Sequence, residues 1–115
     1  MNIQPYFPNI LQSRLVKECE VDDYLIKLLT DVICGGIIQC PHVLIAYKKG
    51  STEPCYAIAS EASTLVSYFT YYIGAYPGYG HMNYGSAIEF GELDVFEKLA
   101  VELMEKALNV KIIWK

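Results

Sequence analysis

Positive charge is scarce in this sequence. There is one arginine among 115 residues, and nine basic side chains stand against 13 acidic ones, for a formal net charge of −4. A protein that follows a phosphate backbone needs clustered Lys and Arg, so no nucleic-acid partner is expected. No apolar run reaches the roughly 18 residues that span a bilayer. The first residues also lack the basic start and apolar core of a signal peptide. We therefore expect a cytoplasmic protein with no membrane partner.

The common catalytic and cofactor motifs are missing as well. The sequence contains no Walker A motif, no nucleophile elbow, no H-E-x-x-H and no C-x-x-C. The run Gly78-Tyr79-Gly80-His81 is too short for the dinucleotide fingerprint and does not lead directly into a helix. No cofactor is expected, and the motifs do not decide whether the protein is an enzyme.

Apolar residues are plentiful: 53% of the chain is hydrophobic and 19% is charged. That composition excludes a disordered chain. A chain this short rarely divides, because each part would have too small a core. We therefore expect a single α+β domain over residues 1–115.

Apolar residues at helical spacing predict three helices, over residues 9–16, 21–33 and 92–108. Asp22 is placed to cap the second helix at its N-terminus. Asn109 fits the position just beyond the end of the third. The helices should pack on a sheet.

β-branched and aromatic runs predict four strands, over residues 43–47, 55–60, 68–73 and 110–115. The first two are joined by a short glycine-containing turn, which is typical of an antiparallel hairpin. Ala57 and Ala59 lie on one face of the second strand, where their small side chains leave room for a helix. The predicted fold is a single-layer, mostly antiparallel sheet of about four strands with two or three helices packed on it, in the order ααβββαβ.

A segment rich in tyrosine and glycine, residues 74–85, is predicted to be a loop. This composition is typical of recognition surfaces. The predicted binding residues are Tyr76, Tyr79, His81, Asn83 and Tyr84. The alternative is that the tyrosines cover a sheet edge and the glycines form turns.

His81 is also the candidate catalytic residue, because an imidazole in a polar loop can act as an acid or base near neutral pH. Glu61, at the end of a predicted strand, is the candidate partner that orients it. The simpler interpretation is preferred for both: a structural hydrogen bond for His81, and a solvated strand-end carboxylate or a helix-cap partner for Glu61.

The four cysteines are expected to be reduced thiols. A metal site at Cys34, Cys40 and His42, with Cys55 or His81 as a fourth ligand, is the weaker alternative. Its spacing matches no standard zinc motif, and cysteine is often buried simply as a small apolar residue.

Small size, acidic charge and a tyrosine-rich loop together favour a binding protein of inhibitor, immunity or regulatory type. Its expected partner is a protein, or a second copy that meets it through Trp114 and the tyrosine-rich strand. The acidic run 89–97 is attributed first to the helix dipole and second to a partner-binding face. The alternative function is a small enzyme or small-ligand-binding protein with a pocket at residues 74–85.

Overall fold

The computed structural model describes residues 10–35, 38–63, 70–76, 82–89 and 92–115. These residues form seven strands and one helix. The elements are β1 (Ile10–Val21), β2 (Tyr24–Cys34), β3 (Ile38–Gln39), β4 (Val43–Lys48), β5 (Pro54–Ser63), β6 (Thr70–Tyr76), β7 (Met82–Glu89) and α1 (Leu93–Leu108). The α1 helix is not long and apolar enough to cross a membrane, and no other helix occurs in the described part of the chain.

The strands form one antiparallel sheet in the order β1-β2-β4-β5-β6-β7, and the short β3 pairs with β5. Apart from β3, neighbours in the sequence are neighbours in the sheet, so the chain runs back and forth as a meander. The fold is therefore mostly β with one C-terminal helix. The predicted α+β arrangement of about four strands and two or three helices, in the order ααβββαβ, is wrong.

The first two predicted helices are in fact a hairpin. Val21 pairs with Tyr24, and the turn between them begins at Asp22, which has a φ of 50°. Aspartate tolerates this left-handed conformation better than most residues, so Asp22 forms a turn and does not cap a helix. The apolar residues of 21–33 fit both a helical and an alternating pattern. Long-range pairing with β1 decides in favour of the strand.

A bulge at Asp31 changes the face that the end of β2 presents. Asp31 has a φ of 51°, and the pairing passes from Arg14 with Thr30 to Gln12 with Ile33, which leaves one extra residue on β2. Strict alternation from Leu29 would turn Cys34 to the opposite face. The extra residue reverses that alternation, and Cys34 joins Leu29 in one cluster.

The α1 helix covers one face of the sheet. Its buried side chains are Phe96, Ala100 and Met104. They pack against a core of strand residues from β1, β2, β4, β5 and β6, together with one residue from the C-terminal segment. These residues are Cys19, Ile26, Leu28, Leu44, Ala46, Ile58, Ile73, Ala75 and Ile112.

The opposite face carries a second cluster, which we call the thiol face. It comprises Leu29, Val32, Cys34, Cys40, Val43, Ile45, Ala57, Ala59 and Tyr76. The small side chains of Ala57 and Ala59 therefore do not receive a helix, contrary to the prediction. The helix packs instead against the other face of β5, where Ile58 lies.

Several local predictions are confirmed and others are corrected. The β4–β5 hairpin forms, and α1 ends at Asn109, whose φ is 54°. The predicted third strand, 68–73, overlaps β6, which continues to Tyr76, and parts of the predicted loop 74–85 belong to β6 and β7. Residues 110–115 do not form a strand. The backbone N–H of Ile112 instead donates to Glu105 Oε2 at 2.8 Å.

We predict that Phe96→Ala lowers the free energy of unfolding by about 3–5 kcal/mol, because it removes a fully buried ring from the centre of the α1 contact. Urea denaturation measures the change. Val95→Ala, on the exposed side of α1, is the matched control and should change stability by no more than about 0.5 kcal/mol. Equal losses in the two variants would contradict the packing described for α1.

Candidate functional site

The thiol face contains a buried carboxylate. Glu61 is only 6% exposed, and the hydroxyl of Tyr76, itself buried, donates a hydrogen bond to Glu61 Oε2. The bond joins β5 to β6 through side chains. The preferred interpretation of Glu61 as a solvated strand-end carboxylate is therefore wrong.

Small residues make room for this pair. Ala59 is paired with Gly74, and Ala57 is paired with Tyr76. A Cβ added to Gly74 would overlap the Glu61 carboxylate. The absence of a side chain at position 74 therefore lets Glu61 extend along the sheet towards Tyr76.

Two thiols belong to the same face. Cys34 and Cys40 are 8% and 2% exposed, and both belong to the same buried cluster. Burial, followed by the nearby Cys34 and Glu61, raises the pKa of the Cys40 thiol well above its ordinary value. Cys40 is therefore protonated at neutral pH, and its thiol must lose this proton before it can attack a disulfide or bind a metal.

The Tyr76 phenol is kept neutral by the same surroundings. Burial raises its pKa, and the hydrogen bond to Glu61 and the charge of Glu61 raise it further. A neutral phenol can donate a hydrogen bond, and a buried carboxylate needs such a donor. The site is therefore built to hold a hydrogen bond in apolar surroundings.

His42 lies on the α1 side of the sheet. Its Nδ1 and Thr30 Oγ1 share a hydrogen bond at 2.8 Å, and its ring is 5.7 Å from that of Phe96. Its backbone N–H donates to Ser60 Oγ at 3.1 Å. The sheet thus separates His42 from Cys34 and Cys40, and the predicted metal site is not brought together. No other group of potential metal ligands occurs within the described residues.

Cys55, one of the two candidate fourth ligands, is also apart from Cys34 and Cys40. Cys55 donates to the carbonyl oxygen of Ala46 at 3.5 Å and packs against the α1-side core. His81, the other candidate fourth ligand, lies outside the described residues.

The remaining predicted binding residues are only partly placed. Tyr79, like His81, lies outside the described residues. Asn83 pairs with Gly74 in the β6–β7 ladder, and Tyr84 follows it in β7. Tyr76 is buried on β6. The binding role of these five residues and the catalytic role of His81 with Glu61 stay predictions.

A second site lies on the outer side of α1. We call it the α1 groove: an open groove of about 460 Å³ between α1 and the C-terminal segment. Its lining includes three carboxylates, one cation and two apolar side chains. These residues are Asp94, Glu97, Glu102, Lys98, Val101 and Trp114. Glu53 does not line this groove and lies on the exposed turn between β4 and β5.

One cation is already held at the α1 groove. Lys17, from β1, places its Nζ 2.8 Å from Glu97 Oε2 and 6.0 Å from the centre of the Trp114 ring. Sequence reasoning attributed the acidic residues to the helix dipole and did not connect them with Trp114. The spacing of Asp94, Glu97 and Val101 does indicate one helix face, but the Trp114 contact depends on the fold.

The thiol face and the α1 groove are thus two chemically different sites on opposite sides of the sheet. Comparisons with protein-family models, with curated proteins and with solved structures find no match. The properties of each site follow from its own residues: hydrogen bonding in apolar surroundings for the first, and negative charge beside an aromatic ring for the second.

We predict that Gly74→Ala lowers the free energy of unfolding by about 1–3 kcal/mol, because the new methyl group overlaps the Glu61 carboxylate. In a strand, Gly to Ala is otherwise stabilising by about 0.5–1 kcal/mol. Urea denaturation measures the effect in the native chain and in a Glu61→Ala background. The loss of unfolding free energy caused by Gly74→Ala should be smaller in the Glu61→Ala background. An equal loss in the two backgrounds would show that overlap with the Glu61 carboxylate does not cause it.

We predict that Tyr76→Phe lowers stability at neutral pH by about 1–3 kcal/mol, because Glu61 loses the hydrogen bond from the Tyr76 hydroxyl while remaining buried. The pKa of Tyr76 is raised from an ordinary value of 10.0. The unfolded chain therefore loses this proton first as the pH rises, and the Tyr76 contribution to stability falls above that value.

The difference in stability between the native chain and Tyr76→Phe should thus shrink when denaturation is repeated at about pH 11. Tyr24→Phe, on a half-buried tyrosine, is the control. If the stability difference between the native chain and Tyr76→Phe instead grew with pH, the pKa of Tyr76 would not be raised by folding.

Proposed function

We propose that this chain is a binding protein whose α1 groove receives a positively charged segment of a partner protein. The observation that carries the proposal is the position of the Lys17 ammonium, between the Glu97 carboxylate and the Trp114 ring. The groove thus already binds a cation from its own chain. A lysine or arginine of a partner would meet the same two kinds of group.

Charge complementarity supports a basic partner. The three carboxylates Asp94, Glu97 and Glu102 outnumber the two cations at the groove, Lys98 and Lys17, and the whole chain carries a formal charge of −4. Such a surface attracts basic proteins and accelerates their encounter. It also repels nucleic acids, whose phosphates carry the same sign.

Trp114 supplies the apolar part of the contact. Tryptophan is enriched among the residues that contribute most to protein interfaces, and its ring is the best partner for a cation. The Trp114 ring is half-buried, so it is held in place by the core and still borders the groove with Val101. An arginine could stack on this ring while it bonds to a neighbouring carboxylate.

The open shape of the groove favours a segment of a protein over a small molecule, because small ligands are usually enclosed. Catalysis has less support among the described residues. Cys40 is protonated, and His42 belongs to a buried hydrogen-bonded group with Thr30 and Ser60. An inhibitor, immunity or regulatory role fits a small acidic binding protein, and Tyr79, His81, Asn83 and Tyr84 are proposed as a second contact region.

Trp114 also makes the proposal testable, since it is the only tryptophan in the chain. We predict that a hexa-arginine peptide changes its fluorescence in a saturable way and that added salt weakens this binding. A hexa-glutamate peptide should have no effect. Glu97→Gln combined with Glu102→Gln should weaken the binding about tenfold, which corresponds to about 1.4 kcal/mol.

The matched control combines Glu53→Gln with Asp23→Asn, which removes the same charge from exposed turns outside the groove. It should bind nearly as well as the native chain. Two results would overturn the proposal: a native chain that shows no saturable change, and an equal weakening in both double variants.

A further inference from the structure

We propose that Cys34 and Cys40 are an oxidisable dithiol that closes to an intramolecular disulfide, while the other two cysteines stay reduced. The two residues belong to the buried cluster of the thiol face. Both are free thiols in this structure. This modification site is independent of the α1 groove and of the function proposed for it.

The backbone brings the two thiols together. The bulge at Asp31 turns Cys34 to the thiol face. Two residues before Cys34, the N–H of Val32 donates to the carbonyl oxygen of Pro41 at 3.2 Å, so the end of β2 is tied to the segment that carries Cys40. The two side chains lie in one buried cluster, where Cys34 is close enough to raise the pKa of the Cys40 thiol. Closing a disulfide requires the two Cβ atoms to approach each other within this cluster.

The other cysteines are kept apart from this pair. Cys19 is buried in the α1-side core, across the sheet from the thiol face. Cys55 also packs against that core and bonds to the Ala46 carbonyl. In the described part of the chain, Cys34 and Cys40 are thus the two cysteines that share one face.

The two thiols have different parts in the reaction. Cys34 is the more exposed, at 8% against 2% for Cys40, and it lies at the end of a strand. Access and thiolate formation control attack on an external disulfide. Cys34 is therefore the attacking thiol, and Cys40 is the resolving thiol.

With oxidised glutathione as the oxidant, the thiolate of Cys34 attacks one glutathione sulfur. A Cys34–glutathione disulfide forms and one glutathione thiolate leaves, taking up the proton that Cys34 lost. Cys40 then loses its proton and attacks the Cys34 sulfur, which expels the second glutathione as a thiolate that takes up that proton. Two protein thiols are oxidised and one glutathione disulfide is reduced to two thiols.

Trypsin digestion of the native chain places Cys34 and Cys40 in one peptide and separates them from the other two cysteines. Cleavage after lysine places both Cys34 and Cys40 in the peptide 28–48, Cys19 in the peptide 18–27 and Cys55 in the peptide 50–98. The folded chain is incubated with oxidised glutathione, denatured, treated with iodoacetamide and digested. We expect mass spectrometry to find the peptide 28–48 lighter by two hydrogen atoms and not alkylated. The other two peptides should be alkylated.

Two variants test the order of attack. Cys40→Ala should retain glutathione on Cys34, because the resolving thiol is gone. Cys34→Ala should leave Cys40 alkylated and free of glutathione. Cys55→Ala is the matched control and should close the disulfide as the native chain does.

The native chain carries the main test, so the result does not depend on the folding of a variant. A peptide 28–48 that stays doubly alkylated at every glutathione concentration would overturn the proposal. So would a disulfide to Cys19 or Cys55. Glutathione retained on Cys40 in Cys34→Ala, at the rate seen for Cys34, would overturn the assigned order of attack.

Discussion

The carboxylate of Glu61 must be satisfied inside an apolar face, and much of the architecture follows from that requirement. A buried polar group without a partner costs several kcal/mol, and a buried charge costs more. Tyr76 supplies a donor, and the Glu61 side chain fits because Gly74 has no side chain to overlap it.

The one helix of the described residues, α1, packs on the other face of the sheet, and its outer side forms the second site. Phe96 and Met104 point into the core, while the outer side of α1 is left to form a groove with Trp114. Lys17 reaches this groove from β1, which the meander places at one edge of the sheet. One face thus contains the thiols and a hydrogen-bonded pair, and the other carries α1 with its charged groove.

The sequence alone predicts the elements that local pattern controls. The β4–β5 hairpin and α1 have short-range determinants: an alternating run, a glycine-containing turn and an apolar stripe that ends at Asn109. The β1–β2 hairpin lacks such short-range determinants, because its apolar residues fit both the helical and the strand periodicity. Its turn and its bulge also depend on the left-handed conformations of Asp22 and Asp31. The two sites are harder to predict from the sequence than these elements. Glu61 meets Tyr76 only through strand pairing, and Lys17 meets Glu97 from 80 residues away.

The most direct test of this account is a double-mutant cycle on the central pair. Glu61→Met and Tyr76→Phe each remove one partner of the buried hydrogen bond, and the double variant removes both. If the bond is the constraint described here, the double variant will be more stable than the sum of the single losses predicts, by about 1 kcal/mol or more. Single losses that simply add would show that the two residues do not interact, and the account of the thiol face would be wrong.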